Sequence, residues 1–340
     1  MNKKFTLKEL AELTNTSINT VSRALNAKQG VSDETREMIM RVAAEHNYRP
    51  NLLARSMRGS NTNLLGIIVG DISNSFFIKV LEGIEEIANK ENMTIAIGNS
   101  NENIEKERKN ADVFLSYNCA GLAISPVADG KSIISKLMEE EVNFVVFDRP
   151  LPEGIQCDHV GINNENDSFR AVEYLITCGH RDIAIINSYS QLKTEQDRLS
   201  GYKMALQKYH IPIQEQFIKF CEDKIGAYRA CKEIIELKNR PTAIFVAKES
   251  LGLDVIAALS DSQICIPDDI SILLYGDPEW AIVFAPKLTC MQRPIREMGQ
   301  LGASILINRT KNKDSRDSGK YKNIVLDSKL MIRESVRILM

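Results

Sequence analysis

From Leu64 onward one pattern recurs: a short apolar run, a turn, then an amphipathic stretch with apolar residues three and four apart. Runs at 64–69, 94–98, 121–125 and 143–147 read as strands, and a second set follows at 183–186, 243–247 and 271–275. Between them lie helical stripes such as Ile78, Leu81, Ile84, Ile87, Ala88 and Ala171, Val172, Leu175, Ile176. Strands buried on both faces are continuously apolar, and strands alternating with helices build parallel sheets covered by helices. The pattern predicts an α/β core of two units with four or five strands each. A helix at 295–308 and a strand at 323–326 then cross back to complete them.

The first sixty residues follow a different period. Thr6 precedes Leu7, Leu10 and Ala11, one helical face, and its hydroxyl can cap the helix while Glu9 reaches back. Thr14-Asn15-Thr16 reads as a turn, in which Asn tolerates a left-handed backbone. Ser17 caps a second helix with Val21, Ala24 and Leu25 facing inward. Its opposite face carries Asn19, Ser22, Arg23 and Asn26, hydrogen-bonding groups and one cation without a carboxylate. That composition suits base edges and phosphates: Asn pairs with adenine, and Ile18 on the flank meets a thymine methyl. Ser17 and Thr20 stand where a helix N-terminus meets phosphate. A third helix begins near Ser32, with Met38, Ile39, Val42 and Ala43 as its stripe. Residues 1–60 hold ten Lys+Arg against six Asp+Glu, net +4, so the remainder is −6 in a chain of −2. This footprint favours double-stranded DNA over a three-helix bundle that docks on protein. The α helix-turn-helix therefore has Thr6, Ser17, Ile18, Asn19, Thr20, Ser22, Arg23 and Asn26 as candidate DNA contacts.

Other classes find little support. The start, Met-Asn-Lys-Lys-Phe, lacks an apolar leader and no run reaches membrane-spanning length, so a cytoplasmic chain without a membrane partner is expected. The missing leader also argues against an exported solute-binding protein. Seven cysteines without a CxxC pair read as reduced, mostly buried thiols. His46, His159, His180 and His210 lack metal spacing, and no GxGxxG, Walker A, HExxH or GxSxG occurs, so no enzyme, metal or cofactor is expected. The polar stretch 311–320 reads as a solvated loop.

The segments TLKELA, TSINTVSRALN, VSDETRE, YRPN and ARSMRG resemble the DNA-binding headpiece of the lac-repressor (LacI/GalR) family, and the likeness continues to residue 340. It implies a headpiece at 1–49, a hinge helix and linker at 50–61, and a core at 62–340. The core would be two Rossmann-like lobes of periplasmic-binding-protein type I architecture, one of about 62–162 plus 293–323, the other of about 163–290 plus 324–340. In this family a hinge helix forms when two chains meet on an operator. Asn51 caps it here, Met57 takes the position of the minor-groove Leu wedge, and Arg55 and Arg58 flank it.

Ligands of open parallel sheets sit beyond the carboxyl ends of the strands. Phe76, Phe77, Asp148, Arg149, Lys248 and Asp277 stand at such ends, and Arg198 opens a helix beside them. The resemblance makes this an effector cleft, usually for a sugar, sugar phosphate or purine. Phe76 and Phe77 would stack on a ring face, unless they belong to the core. Asp148, Arg149 and Arg198 would grip polar groups, unless the first two form a structural pair. Two departures stand out. Lys248-Glu249 replaces the family's usual Asn-Asp, and Gly276 replaces the first Asp of its Asp-Asp pair. A gained cation favours an anionic effector such as a sugar acid or sugar phosphate, unless Lys248 pairs with Glu249 or Asp277. The expected function is a repressor that binds a pseudo-palindromic operator as a homodimer rather than a tetramer, under control of a small-molecule effector. The alternative is control by a partner protein, or effector binding lost.

Overall fold

A computed structural model describes residues 5–25, 29–46, 48, 62–128, 130–188, 192–221, 224–312 and 320–339. The chain divides into two compact units, Met1–Thr62 and Asn63–Met340.

The first unit holds α1 (Leu7–Leu13), α2 (Ile18–Leu25) and α3 (Asp33–Glu45). Thr6 and Glu9 form the expected capping box, and the Ser32 side chain caps α3. Asn15 takes the left-handed turn conformation at φ 49°. Leu10, Val21 and Ile39, one from each helix, are fully buried and close the small core together with Ala11, Ala24 and Ala43.

The second unit holds two six-stranded sheets. The first lobe comprises β1 (Leu64–Val69), α4 (Ser75–Lys90), β2 (Thr94–Asn99), α5 (Ile104–Ser116), β3 (Gly121–Ile124), α6 (Lys131–Glu139), β4 (Phe144–Asp148) and β5 (His159–Ile162). The chain then enters the second lobe with α7 (Asn164–Thr177), β6 (Ile183–Ser188), α8 (Lys193–Lys208), β7 (Ile218–Cys221), α9 (Lys224–Ile235), β8 (Ala243–Val246), α10 (Gly252–Asp261), β9 (Ser271–Tyr275) and β10 (Thr289–Gln292). It returns through α11 (Ile295–Lys311) and β11 (Asn323–Leu326) and crosses again to β12 (Lys329–Met331). Strand order is β11-β5-β4-β3-β1-β2 in one sheet and β12-β10-β9-β8-β6-β7 in the other. All pairs are parallel except β10 with β12.

Each sheet is covered on both faces. In the first lobe α4 and α11 share a core with β1, β4 and β5, while α5 and α6 pack with β3 and β4 on the other side. In the second lobe α7 and α8 cover one face and α9 and α10 the other.

The sheets are larger than the periodicity predicts. Strands β5, β7, β10 and β12 carry residues such as His159, Lys219 and Gln292 that interrupt an apolar run, so pattern alone passes over them. One boundary is corrected: β11 pairs with β5, so residues 324–326 belong to the first lobe and the last crossing falls between Leu326 and Lys329 rather than at 324.

Both lobes draw two helices into close approach through glycine. A Cβ on Gly83 of α4 would lie 2.2 Å from the Arg296 carbonyl oxygen, and one on Gly299 of α11 would lie 2.2 Å from that of Val80. In the second lobe a Cβ on Gly201 of α8 would lie 2.1 Å from the Glu165 carbonyl oxygen of α7. Backbone cannot yield as a side chain does, so overpacking there forces the helices apart. Gly299→Ala should lower the unfolding free energy of the core by about 1–3 kcal/mol. Gly302→Ala on the same helix, whose Cβ would meet only Val145 Cγ1 at 4.0 Å, should be neutral or stabilising by up to about 1 kcal/mol. Urea unfolding of the two variants side by side checks this, and equal losses would remove the close-approach explanation.

Candidate functional site

On the first unit, Ser17, Ile18, Asn19 and Arg23 are exposed along α2, with Thr20 and Ser22 half-buried beside them. No acidic residue stands in its first turn. The Ser17 hydroxyl oxygen accepts the Thr20 amide hydrogen at 3.0 Å and lies 2.8 Å from the Thr20 hydroxyl, which fixes the helix start. Thr6 is exposed, and its hydroxyl and amide donate to Glu9 at 2.8 and 2.7 Å, so its main engagement is the cap. Asn26, Asn51, Arg55, Met57 and Arg58 lie outside the described residues.

In the second unit, strand register brings the carboxyl ends together. In the first sheet Val69 pairs with Asn99, Ile68 with Ile124 and Asp148 with Gly161, which places Gly70, Ser100, Ser125 and Asp148 along one edge. In the second, Ser188 pairs with Cys221, Ile186 with Val246 and Val246 with Leu274, which lines up Ser188, Lys248 and Gly276.

Asp148 ends β4 paired with Gly161, at a left-handed φ of 70°, and its side chain makes no hydrogen bond or ion pair among the described residues. Burial pushes its carboxyl above the ordinary range, opposed by the charges of Arg149, Arg198 and Arg293. Arg198 is 5% exposed. Its Nε donates to Asn164 Oδ1 at 3.0 Å, and Nη1 donates to the Ala247 carbonyl at 3.0 Å and to Glu195 at 3.2 Å. The guanidinium also lies 4.5 Å from the Tyr275 ring centroid. Lys248 turns to Ser188 Oγ at 3.2 Å and to Glu195 at 3.7 Å, so its carboxylate partner is neither Glu249 nor Asp277.

Phe77, Phe76, Asp277 and Arg149 are each engaged with other side chains. Phe77 is 3% exposed and packs edge-to-face on Phe147, so it belongs to the core and offers no ring face. Phe76, also buried, has a cation over it: the Arg293 guanidinium lies 4.9 Å from its centroid. Asp277 is held bidentately by Arg333 at 2.7 and 2.8 Å and accepts from Gln292 at 2.9 Å, so it is a structural pair within the second lobe. Arg149 is paired elsewhere than with Asp148: its Nη1 donates to the Pro126 carbonyl and its Nη2 to Glu102 at 2.5 Å.

Several residues that frame the cleft escaped the pattern. Arg293 lies on the link between β10 and α11, between the rings of Phe76 and Tyr275, and 3.5 Å from Glu249. The Tyr275 hydroxyl donates to Asn164 Oδ1 at 2.9 Å, and burial raises its pKa. Their only sequence trace is Arg293-Pro294 before a helix and a polar-tipped aromatic ending an apolar strand.

Among the described residues no group of His, Cys, Asp and Glu could hold a metal ion, and no helix is long and apolar enough to cross a membrane. All seven cysteines are free, five of them buried.

Beside Arg149, Glu107 of α5 is 2% exposed and accepts the Val127 amide hydrogen at 2.5 Å. Burial raises its pKa from 4.5 to about 7. The unfolded chain releases this proton at lower pH than the folded one, so stability falls as pH rises through that window and is lowest once Glu107 ionises. Glu107→Gln keeps an acceptor for Val127 without the charge. Its stability relative to the parent should rise between about pH 5 and pH 8 in urea unfolding, and a constant difference would contradict the shift.

The model for bacterial regulatory proteins of the lacI family matches residues 6–51, and that for a periplasmic binding protein-like domain matches residues 172–336. The chain is 30% identical to the ribose operon repressor of Haemophilus influenzae over 97% of this chain and 98% of that protein. It is 29% identical to a probable HTH-type transcriptional repressor, ExuR, of Bacillus subtilis over 98% of both. The fold superposes on a lac repressor dimer bound to operator and the anti-inducer ONPF with a TM-score of 0.86 at 23% identity, covering 98% of this chain and 100% of that one. A LacI family regulator from Enterococcus faecium with bound ribose gives 0.72 at 26% identity, over 82% of this chain and 100% of that one.

Proposed function

This chain belongs to the lacI family of bacterial regulatory proteins, DNA-binding transcriptional repressors rather than enzymes, and we propose that it binds a pseudo-palindromic operator as a cytoplasmic homodimer under the control of a polyhydroxylated, acidic small molecule. The exposed face of α2 supports the DNA reading. Asn19 and Arg23 are presented to solvent on a helix whose inward face is fixed by Val21 and Ala24, the arrangement that lets a helix enter a major groove as a rigid body. Asn26 joins this set by its spacing in the sequence. Asn51, Met57 and the flanking Arg55 and Arg58 form the second, minor-groove contact.

Pairing of two chains is supported by large apolar side chains in solvent near one sheet edge. Ile72, Ile78 and Ile97, before α4, on α4 and on edge strand β2, are 45%, 47% and 42% exposed. Exposed apolar side chains on and beside an edge strand suit a pairing surface. The lac repressor neighbour is a dimer on its operator.

The effector reading rests on one observation: Asp148 has unfilled acceptor capacity while it feels the charge of Arg198. A carboxyl whose oxygens have no partner takes ligand hydroxyls, and the Arg198 guanidinium with Lys248 nearby takes an acidic group. The carboxylates of Glu195 match part of that positive charge, which favours a single carboxylate over a doubly charged phosphate. The ribose bound by the Enterococcus faecium regulator is polyhydroxylated too.

Two measurements test these readings. Asn19→Ala should cost about 1–3 kcal/mol in operator binding and relax preference at one base position; a loss uniform across sequences would show that Asn19 reads no base. Calorimetric titration with neutral sugars, sugar acids and sugar phosphates should find sugar acids the tightest and Lys248→Ala levelling that preference. Tight binding of a neutral sugar alone defeats the acidic effector, and failure of all three classes favours control by a partner protein.

A further inference from the structure

The two departures from the family's pattern, Lys248-Glu249 and Gly276, meet at one point in space. Gly276 adopts φ +121°, and a Cβ built there would lie 2.5 Å from Glu249 Oε2 and 2.7 Å from the Glu249 Cβ. A side chain at 276 and the Glu249 side chain therefore exclude each other. With glycine present, Glu249 folds over position 276 and reaches out of its own lobe. Its Oε1 accepts from Ser75 Oγ, the first residue of α4 in the other lobe, at 2.9 Å. Its Oε2 lies 3.5 Å from Arg293 Nη2, on the second crossing between lobes. The Glu249 and Arg293 side chains are only 9% and 8% exposed. The Arg293 guanidinium spans the same junction, 4.9 Å from the Phe76 ring of the first lobe and 5.3 Å from the Tyr275 ring of the second.

We propose that Glu249 is an interlobe latch, made possible by Gly276, that holds the cleft closed on Ser75 and Arg293 and so sets operator affinity. Glu249 is thus a positioning residue, and the two sequence departures are one compensated change. A hydrogen bond to a desolvated carboxylate is roughly twice as strong as a neutral one, so a single contact suffices to bias lobes joined only by short links. The latch is also wired to the effector side of the cleft. Arg198 and Arg293 both lie on the Tyr275 ring, so a ligand held by Arg198 and the closure held by Glu249 act through one side chain. The inference rests on the operator-binding reading for its consequence and on the two lobes alone for its geometry.

The test uses the full chain with Ser75→Ala, Glu249→Ala and both together. Helix α4 keeps its Asn74 cap in each variant, so Ser75→Ala disturbs little else. Ser75→Ala should shift operator affinity by roughly ten- to a hundredfold in the parent and add nothing on the Glu249→Ala background, because both remove the same bond. Ser75→Ala should also speed amide hydrogen exchange at residues 249–252, in the opposite lobe, a change that a purely local role would not produce. An equal Ser75→Ala effect on both backgrounds, or unchanged exchange at 249–252, overturns the latch. If the parent chain binds no operator, the operator reading fails by itself, and the exchange measurement still decides the latch.

Discussion

The chain passes between its two lobes three times, and a buried polar cluster centred on Tyr275 gathers all three passages. Asn164, just after the first crossing, accepts through Oδ1 from both the Tyr275 hydroxyl and Arg198 Nε. Arg293, on the second crossing, lies against the Tyr275 ring. Ser328, on the third, donates to Asp167, whose carboxylate also lies 3.4 Å from the Tyr275 hydroxyl. Burial raises the pKa of Asp167, and the hydrogen bonds of Ser328 and Tyr275 oppose that rise. A polar group stripped of water costs about 1–3 kcal/mol when it loses its partner, so each member holds the others in place. The cluster thus ties all three crossings to the second lobe at one point.

The charges at the cleft obey the same logic. Arg149, Arg198, Lys248 and Arg293 are answered by Glu102, Glu195 and Glu249, with Glu195 serving two of them. Buried ion pairs contribute little net stability against apolar packing of the same volume, yet breaking one costs several kcal/mol. Such pairs therefore act as geometric constraints more than as a source of stability. They leave the Asp148 carboxyl without a partner among the described residues, within the field of Arg149, Arg198 and Arg293. That juxtaposition of an open acceptor and a held donor is what a ligand with hydroxyls and an acidic group needs.

How legible was this in the sequence? The headpiece was nearly complete on the page, because its helices are set by local rules: a Thr6–Glu9 box, an Asn15 turn, a Ser32 cap. The long apolar strands were legible for a similar reason, since burial on both faces leaves one kind of residue. The short strands β5 and β12 were not, because a pairing partner far along the chain, rather than apolar period, makes them strands. Arg198 and Asp148 stand, as their sequence position implies, near a helix start and at a strand end. Asp277 and Phe77 stand at such ends too, and only Arg333 and Phe147 show where they turn.

By itself, then, the sequence determined the α helix-turn-helix with its DNA-facing side and the two-unit α/β core. Both follow from residue periodicities and caps that act within a few positions. Tertiary structure alone decided which charges are answered and which are left open, that Lys248 belongs to Glu195, and that Gly276 makes room for Glu249. The last two join residues tens of positions apart. Nothing in local order fixes them; desolvation and strand register do.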